Sequence, residues 1–185
     1  MEPFKKLAQE LLDEVTGMLA MTDVGVYTQL VNDLLAARNV VVAGEGRSRY
    51  VMGTFAQRLS RLGRMVTVHG EAVGREAGKG DVLLAASLRG RRGPLTTLVE
   101  ATRKRGALVY TLVGEANCIL ASHADYVVSI APQTRTPFEV IAGGGRGSLL
   151  AFDEAIMVYL DAVLIALTDV LGIDSKTLGQ EAGED

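Results

Sequence analysis

The sequence predicts an α/β fold: a three-layer αβα sandwich around a five-stranded parallel sheet, of flavodoxin or Rossmann-like type. Three observations predict it. Short, nearly all-apolar runs recur at 39–43, 65–68, 81–86, 108–113 and 126–130, as strands buried on both faces of a parallel sheet do. Segments of helical period, rather than hairpin turns, separate them. The first run, Val40-Val41-Val42-Ala43, empties into Gly44-Glu45-Gly46-Arg47-Ser48, a glycine turn that opens a helix. A strand, a glycine turn and a helix N-terminus together form the commonest anion cradle of such sheets.

In chain order, Leu7, Leu11, Val15 and Leu19 recur at four-residue steps, and Tyr27, Leu30, Val31, Leu34 and Leu35 make a second stripe. Two helices therefore fill 1–37, ahead of the sheet. The run at 39–43 is the first strand, and 48–62 is a helix with Met52, Phe55, Leu59 and Leu62 on one face. The second strand, 65–68, completes a βαβ unit. Strands at 81–86 and 108–113 flank a helix opened by Pro94, whose missing N–H costs little at a first helical position, and ended by Gly106. A short helical connection, 117–123, leads to the strand at 126–130. The last helix, 148–171, carries Phe152, Ile156, Tyr159, Val163 and Leu167. No linker interrupts the pattern, so 1–185 reads as a single domain: N-terminal helices in 1–37, an αβα core in 39–171, and a polar tail in 172–185.

Composition bounds the function. A hydrophobic content of 48% over 185 residues is that of a globular chain with a sizeable core. A net charge of -3 gives no general attraction for nucleic acid or anionic lipid, so neither is an expected partner, and any anion must be held by a local cluster. Cys118 is the one cysteine, which excludes an intrachain disulfide and fits a reducing compartment. The N-terminus lacks a basic-then-apolar leader, and Asp161 and Asp169 interrupt the apolar C-terminal helix. A cytoplasmic protein is expected. Neither His69 nor His123 has the spacing of a metal site, so no metal or other cofactor is expected.

The candidate site follows from the sheet. Ligands of open α/β sheets sit beyond the C-terminal strand ends, so the loops starting at Gly44, His69, Ser87 and Gly114 are expected to face one crevice. Gly44 and Gly46 allow a sharp turn and close backbone approach, and Arg47 and Ser48 add a guanidinium and a hydroxyl. A plain strand-to-helix turn uses the same residues. Ser87-Leu88-Arg89-Gly90-Arg91-Arg92 follows the third strand; its arginines suit either an anion or a solvated loop. His69, at the end of the second strand beside Glu71, is placed to protonate an oxygen or simply to cap the strand. The stretch Gly143 to Gly147, with Arg146, serves equally as a lid or a connector.

Taken in order, Gly44-Glu45-Gly46-Arg47-Ser48, Phe55-Ala56-Gln57-Arg58-Leu59, Leu62-Gly63, Val68-His69-Gly70-Glu71 and Gly80-Asp81-Val82-Leu83-Leu84 resemble the sugar isomerase (SIS) domain. More narrowly the chain resembles the 6-phospho-3-hexuloisomerase branch, with its G-x-G-R-S turn, F-A-x-R-L helix, L-G step and V-x-G-E strand end. Leu120-Ala121, Ala124-Asp125, Phe152-Asp153 and Tyr159-Leu160-Asp161 stand where that branch has its L-A, A-D and F-E…F-L-D patterns. The resemblance implies a phosphorylated sugar bound at the strand ends, homodimers or homotetramers, and a neighbouring subunit that often completes the site.

Two departures bear on activity. The family's hydroxyl-rich S-G-S-G-E-T loop is here Ser87 to Arg92, with Ser87 and Gly90 kept and Arg89 and Arg92 in place of the second Ser and the Thr. Small neutral donors have given way to long cations. The family's Glu in its F-E step aligns with Asp153, one methylene shorter, and the tail lacks the histidine that members of this branch tend to carry. Ketose isomerisation through an enediol requires a base and donors for a developing oxyanion, so the resemblance implies Asp153 and Glu71 as catalytic groups, and His69 joins them as a candidate by its place at the strand end. The resemblance also implies Gly44, Gly46, Arg47, Ser48, Ser87 and Gly90 as phosphate and substrate contacts. Arg89 and Arg92, which depart from the family loop, join them as candidates because guanidinium groups bind phosphate and both residues follow the third strand.

Three function classes follow: a phosphosugar isomerase of hexuloisomerase type, the favoured one; a noncatalytic phosphosugar- or nucleotide-sugar-binding module acting as a sensor; and a dinucleotide-dependent oxidoreductase. The last is disfavoured because Arg49 stands where its fingerprint needs a third small residue.

Overall fold

The computed structural model describes residues 2–71, 75–91, 93–131 and 149–173. Arg92, the stretch Gly143 to Gly147 and the tail beyond Ile173 lie outside the described residues.

Helices α1 (Glu2–Ala20) and α2 (Val24–Ala36) come first, as the two apolar stripes predict. Asp23 caps α2, its carboxylate accepting the N–H groups of Gly25 at 2.7 Å and Val26 at 3.2 Å. The alternating part follows as β1 (Val40–Gly44), α3 (Ser48–Arg61), β2 (Val66–Val68), β3 (Val82–Ser87), α4 (Pro94–Lys104), β4 (Leu108–Val113), α5 (Ile119–Ser122), β5 (Tyr126–Ser129) and α6 (Leu149–Leu171). All five strands are parallel, in the order β2-β1-β3-β4-β5. The predicted three-layer αβα sandwich is thus the observed fold.

Period-two burial on the strands makes two cores. Val40, Val42, Leu84, Ala86 and Leu112 face α1, α2, α3 and α6, while Val41, Ala43, Leu83, Ala85 and Val109 face α4 and α5. Tyr110 ties the first layer to the sheet. Its ring stacks on Tyr126 with centroids 4.8 Å apart, and its hydroxyl donates to Asp33 of α2 at 2.5 Å. Tyr27 of α2 donates in turn to the carbonyl of Ala162 in α6 at 3.0 Å.

Element ends differ from expectation by a residue or two, for local reasons. The third strand begins at Val82 because Asp81, almost fully buried, is a polar anchor. Its carboxylate accepts from Arg75 at 2.8 and 2.9 Å and from the Gly78 N–H at 2.9 Å. The connection expected at 117–123 narrows to four helical residues, capped by the Cys118 thiol, which accepts from the Ala121 N–H at 3.5 Å. No helix among the described residues is long and apolar enough to cross a membrane.

Candidate active site at the β1 and β3 ends

The strand order reverses between β1 and β3: from β1 the chain moves outward to β2, then returns to the other side of β1 as β3. The loops leaving β1 and β3 therefore part in opposite directions and leave a crevice between them. That crevice holds about 450 Å³ and is lined by Glu45, Gly46, Arg47, Ser48, Ser87, Leu88, Arg89, Arg91 and Asp153. The volume suits a small ligand.

Local geometry explains the glycines. A Cβ on Gly44 would stand 2.7 Å from the Arg49 nitrogen and 2.8 Å from the Ser48 carbonyl carbon, so only glycine lets α3 begin this close to the strand end. Gly46 lies at φ +59°, in the left-handed region. No side chain caps α3, whose first turn opens toward the crevice with its partial positive charge. The β3 loop is held from behind. A Cβ on Gly90, at φ +51°, would run into the Cys118 thiol, and one on Gly114 would stand 2.8 Å from the Leu88 carbonyl oxygen, which accepts the Gly114 N–H at 3.1 Å. Gly114 supports this loop instead of lining the crevice.

Asp153 enters from the second turn of α6, on the same buried stripe as Phe152, Ile156 and Tyr159. The Ser48 hydroxyl donates to its Oδ1 at 2.6 Å, and Arg47 Nε lies 3.7 Å from Oδ2. Arg47 also reaches Glu154 at 3.5 Å. Burial, the largest influence, pushes the Asp153 carboxyl above its ordinary value of 3.8; the Ser48 bond and the Arg47 charge pull the other way, and Glu154 adds a smaller upward push. Across the crevice the Ser87 hydroxyl donates to Glu45 Oε2 at 2.8 Å while its oxygen accepts the Gly90 N–H at 3.1 Å. Both serines thus face a carboxylate.

Arg47, Ser48, Ser87, Arg89 and Asp153 are therefore brought together, with Gly44, Gly46 and Gly90 shaping their loops. His69 and Glu71 stand apart from that group. They line a separate hollow of about 220 Å³ with Arg75, Glu76 and Arg105, where Glu76 and Arg105 pair at 2.8 Å. The reason is topological: β2 is the edge strand beyond β1, so its end lies one strand away from the reversal. His123 closes α5, with Nε2 2.9 Å from Glu100. Glu45 received no role from the sequence, although a carboxylate between two turn glycines was the available signal.

The SIS domain family model matches residues 33–152. The 3-hexulose-6-phosphate isomerase of Mycobacterium gastri is 30% identical over 167 residues, covering 90% of this chain and 83% of that one. Two solved structures share the fold. A Methanococcus jannaschii protein, whose structure was read as inferring a 3-hexulose-6-phosphate isomerase function, superposes with a TM-score of 0.78 at 20% identity, over 97% of both chains. The Vibrio vulnificus NanR protein complexed with ManNAc-6P gives 0.76 at 18% identity, over 95% of this chain and 65% of the other.

Proposed function

Because the chain belongs to the SIS domain family, we propose that the crevice between β1 and β3 binds a phosphorylated sugar and isomerises it, as a 6-phospho-3-hexuloisomerase-like enzyme acting through an enediol. The observation that carries this reading is the Asp153 carboxylate, buried at the crevice wall and fixed by Ser48 at 2.6 Å. The kinship with hexulose-phosphate isomerases supports it at the level of the reaction class.

The chemistry asks for three things. A base takes the proton from the carbon next to the carbonyl, the electrons of that C–H bond form the enediol double bond, and the former carbonyl oxygen gains a proton. Reversal on the neighbouring carbon then moves the carbonyl along the chain. Asp153 is the base in this reading. Its raised pKa makes the carboxylate a better proton acceptor than an ordinary aspartate, and Ser48 fixes which oxygen faces the substrate. Arg47, with the first N–H groups of α3, is placed to stabilise negative charge growing on the oxygens. Arg89 and Arg91 are the available anchors for the phosphate, since neither pairs with a carboxylate among the described residues.

A second reading, phosphosugar binding without turnover, is favoured by the two serine hydroxyls already given to carboxylates. It predicts ligand binding with no conversion. Fructose 6-phosphate and related phosphosugars, tested for thermal stabilisation and then followed by NMR, separate the two. Stabilisation by a phosphosugar with appearance of its carbonyl-shifted isomer supports the enzyme. Stabilisation with no conversion across the panel supports the sensor, and no stabilisation by any phosphosugar rejects both.

A further inference from the structure

Resting on the reading of this crevice as a phosphosugar site, we propose that Glu45 is a resident anion of the β3 loop. It accepts the Ser87 hydroxyl and must leave before a phosphoryl group binds there, so it sets the affinity and selectivity of the site. Ser87 has one hydroxyl proton, directed at Glu45 Oε2 at 2.8 Å, and its oxygen already accepts the Gly90 N–H at 3.1 Å. A hydroxyl donates to one acceptor at a time. A phosphate oxygen can therefore take this donor only by displacing the carboxylate, and a phosphate settling beside an undisplaced Glu45 would meet a like charge at close range.

Glu45 is built for such an exchange. Its backbone is fixed at the end of β1, where its N–H donates to the Ala86 carbonyl at 3.2 Å, while its side chain is exposed, so that leaving Ser87 returns the carboxylate to solvent. Arg89 and Arg91 line the same crevice without a carboxylate partner among the described residues. They supply the positive charge that lets a phosphoryl group prevail over Glu45 and a weaker anion fail. The arginines in this loop and the carboxylate between Gly44 and Gly46 then form one device: added attraction offset by an internal competitor.

The test is calorimetric titration of wild type, Glu45→Gln, Glu45→Ala, Ser87→Ala and the Glu45→Ala/Ser87→Ala double variant with inorganic phosphate and with fructose 6-phosphate. Glu45 is exposed, so both of its variants are expected to fold, and thermal unfolding checks this. The proposal expects Glu45→Ala and Glu45→Gln to tighten both ligands by about tenfold, the loss of one charged competitor for a hydrogen bond. It further expects Ser87→Ala to weaken binding more in the Glu45→Ala background than in wild type. Wild type that binds fructose 6-phosphate, with Glu45 variants that bind it equally or more weakly, overturns this inference and leaves the phosphosugar site standing. Failure of wild type and every variant to bind either ligand overturns both.

Discussion

Asp153 is subject to opposed influences: burial favours its neutral form, while the Ser48 hydroxyl and the Arg47 guanidinium favour the carboxylate. A base must be ionised to work, so the rate of proton abstraction should rise with pH through the raised Asp153 pKa and then level off. Ser48→Ala deletes a bond that favours the ionised form. The ascending limb should therefore move to higher pH, with the plateau reached later; a pH–rate profile whose acid limb stays in place would show that Ser48 does not tune Asp153. The pairing of Ser48 with Asp153 spans 105 positions and that of Ser87 with Glu45 spans 42, so neither was legible as a contact. Asp153 itself was legible, because it occupies the place of a family carboxylate. Glu45 was not, because its neighbour is supplied by a different strand.

At the scale of elements, Gly44 decides whether α3 can start against β1. Gly44→Ala would press a methyl into the backbone of Ser48 and Arg49, forcing the helix outward. A loss of about 1–3 kcal/mol is expected from such overpacking, together with a displaced Ser48 and weaker ligand binding. Urea unfolding measures the first, and a change under about 0.5 kcal/mol would mean that α3 relaxes without strain. β1, β3 and β4 were legible because they are apolar and buried at almost every position; β2, only three residues long and half-buried, with Thr67 on its other face, was readable from Val66 and Val68. Less readable was which strand ends share a crevice. That depends on strand order, which the alternation of elements leaves open, and the outer position of β2 is what carries His69 and Glu71 to another hollow.

For the molecule as a whole, two faces bear on how it works. Away from the crevice, α1 exposes Phe4 and Leu12, and α6 exposes Val158, Ile165 and Val170. Such apolar surface favours association, so a homodimer or homotetramer is expected in solution, and light scattering that found only single chains at micromolar concentration would reject it. At the crevice, Asp153 is proposed to move a proton between carbons of a phosphosugar. The most direct measurement is exchange of solvent deuterium into the carbon beside the carbonyl of fructose 6-phosphate, followed by NMR for wild type and Asp153→Asn. Exchange reports enediol formation even where net conversion is slow. The wild type should catalyse exchange and Asp153→Asn should lose it with affinity nearly unchanged, because the amide keeps the shape and cannot take over the proton-moving role of the carboxylate. Tight binding by a wild type that catalyses no exchange, or exchange that persists in Asp153→Asn, would contradict it.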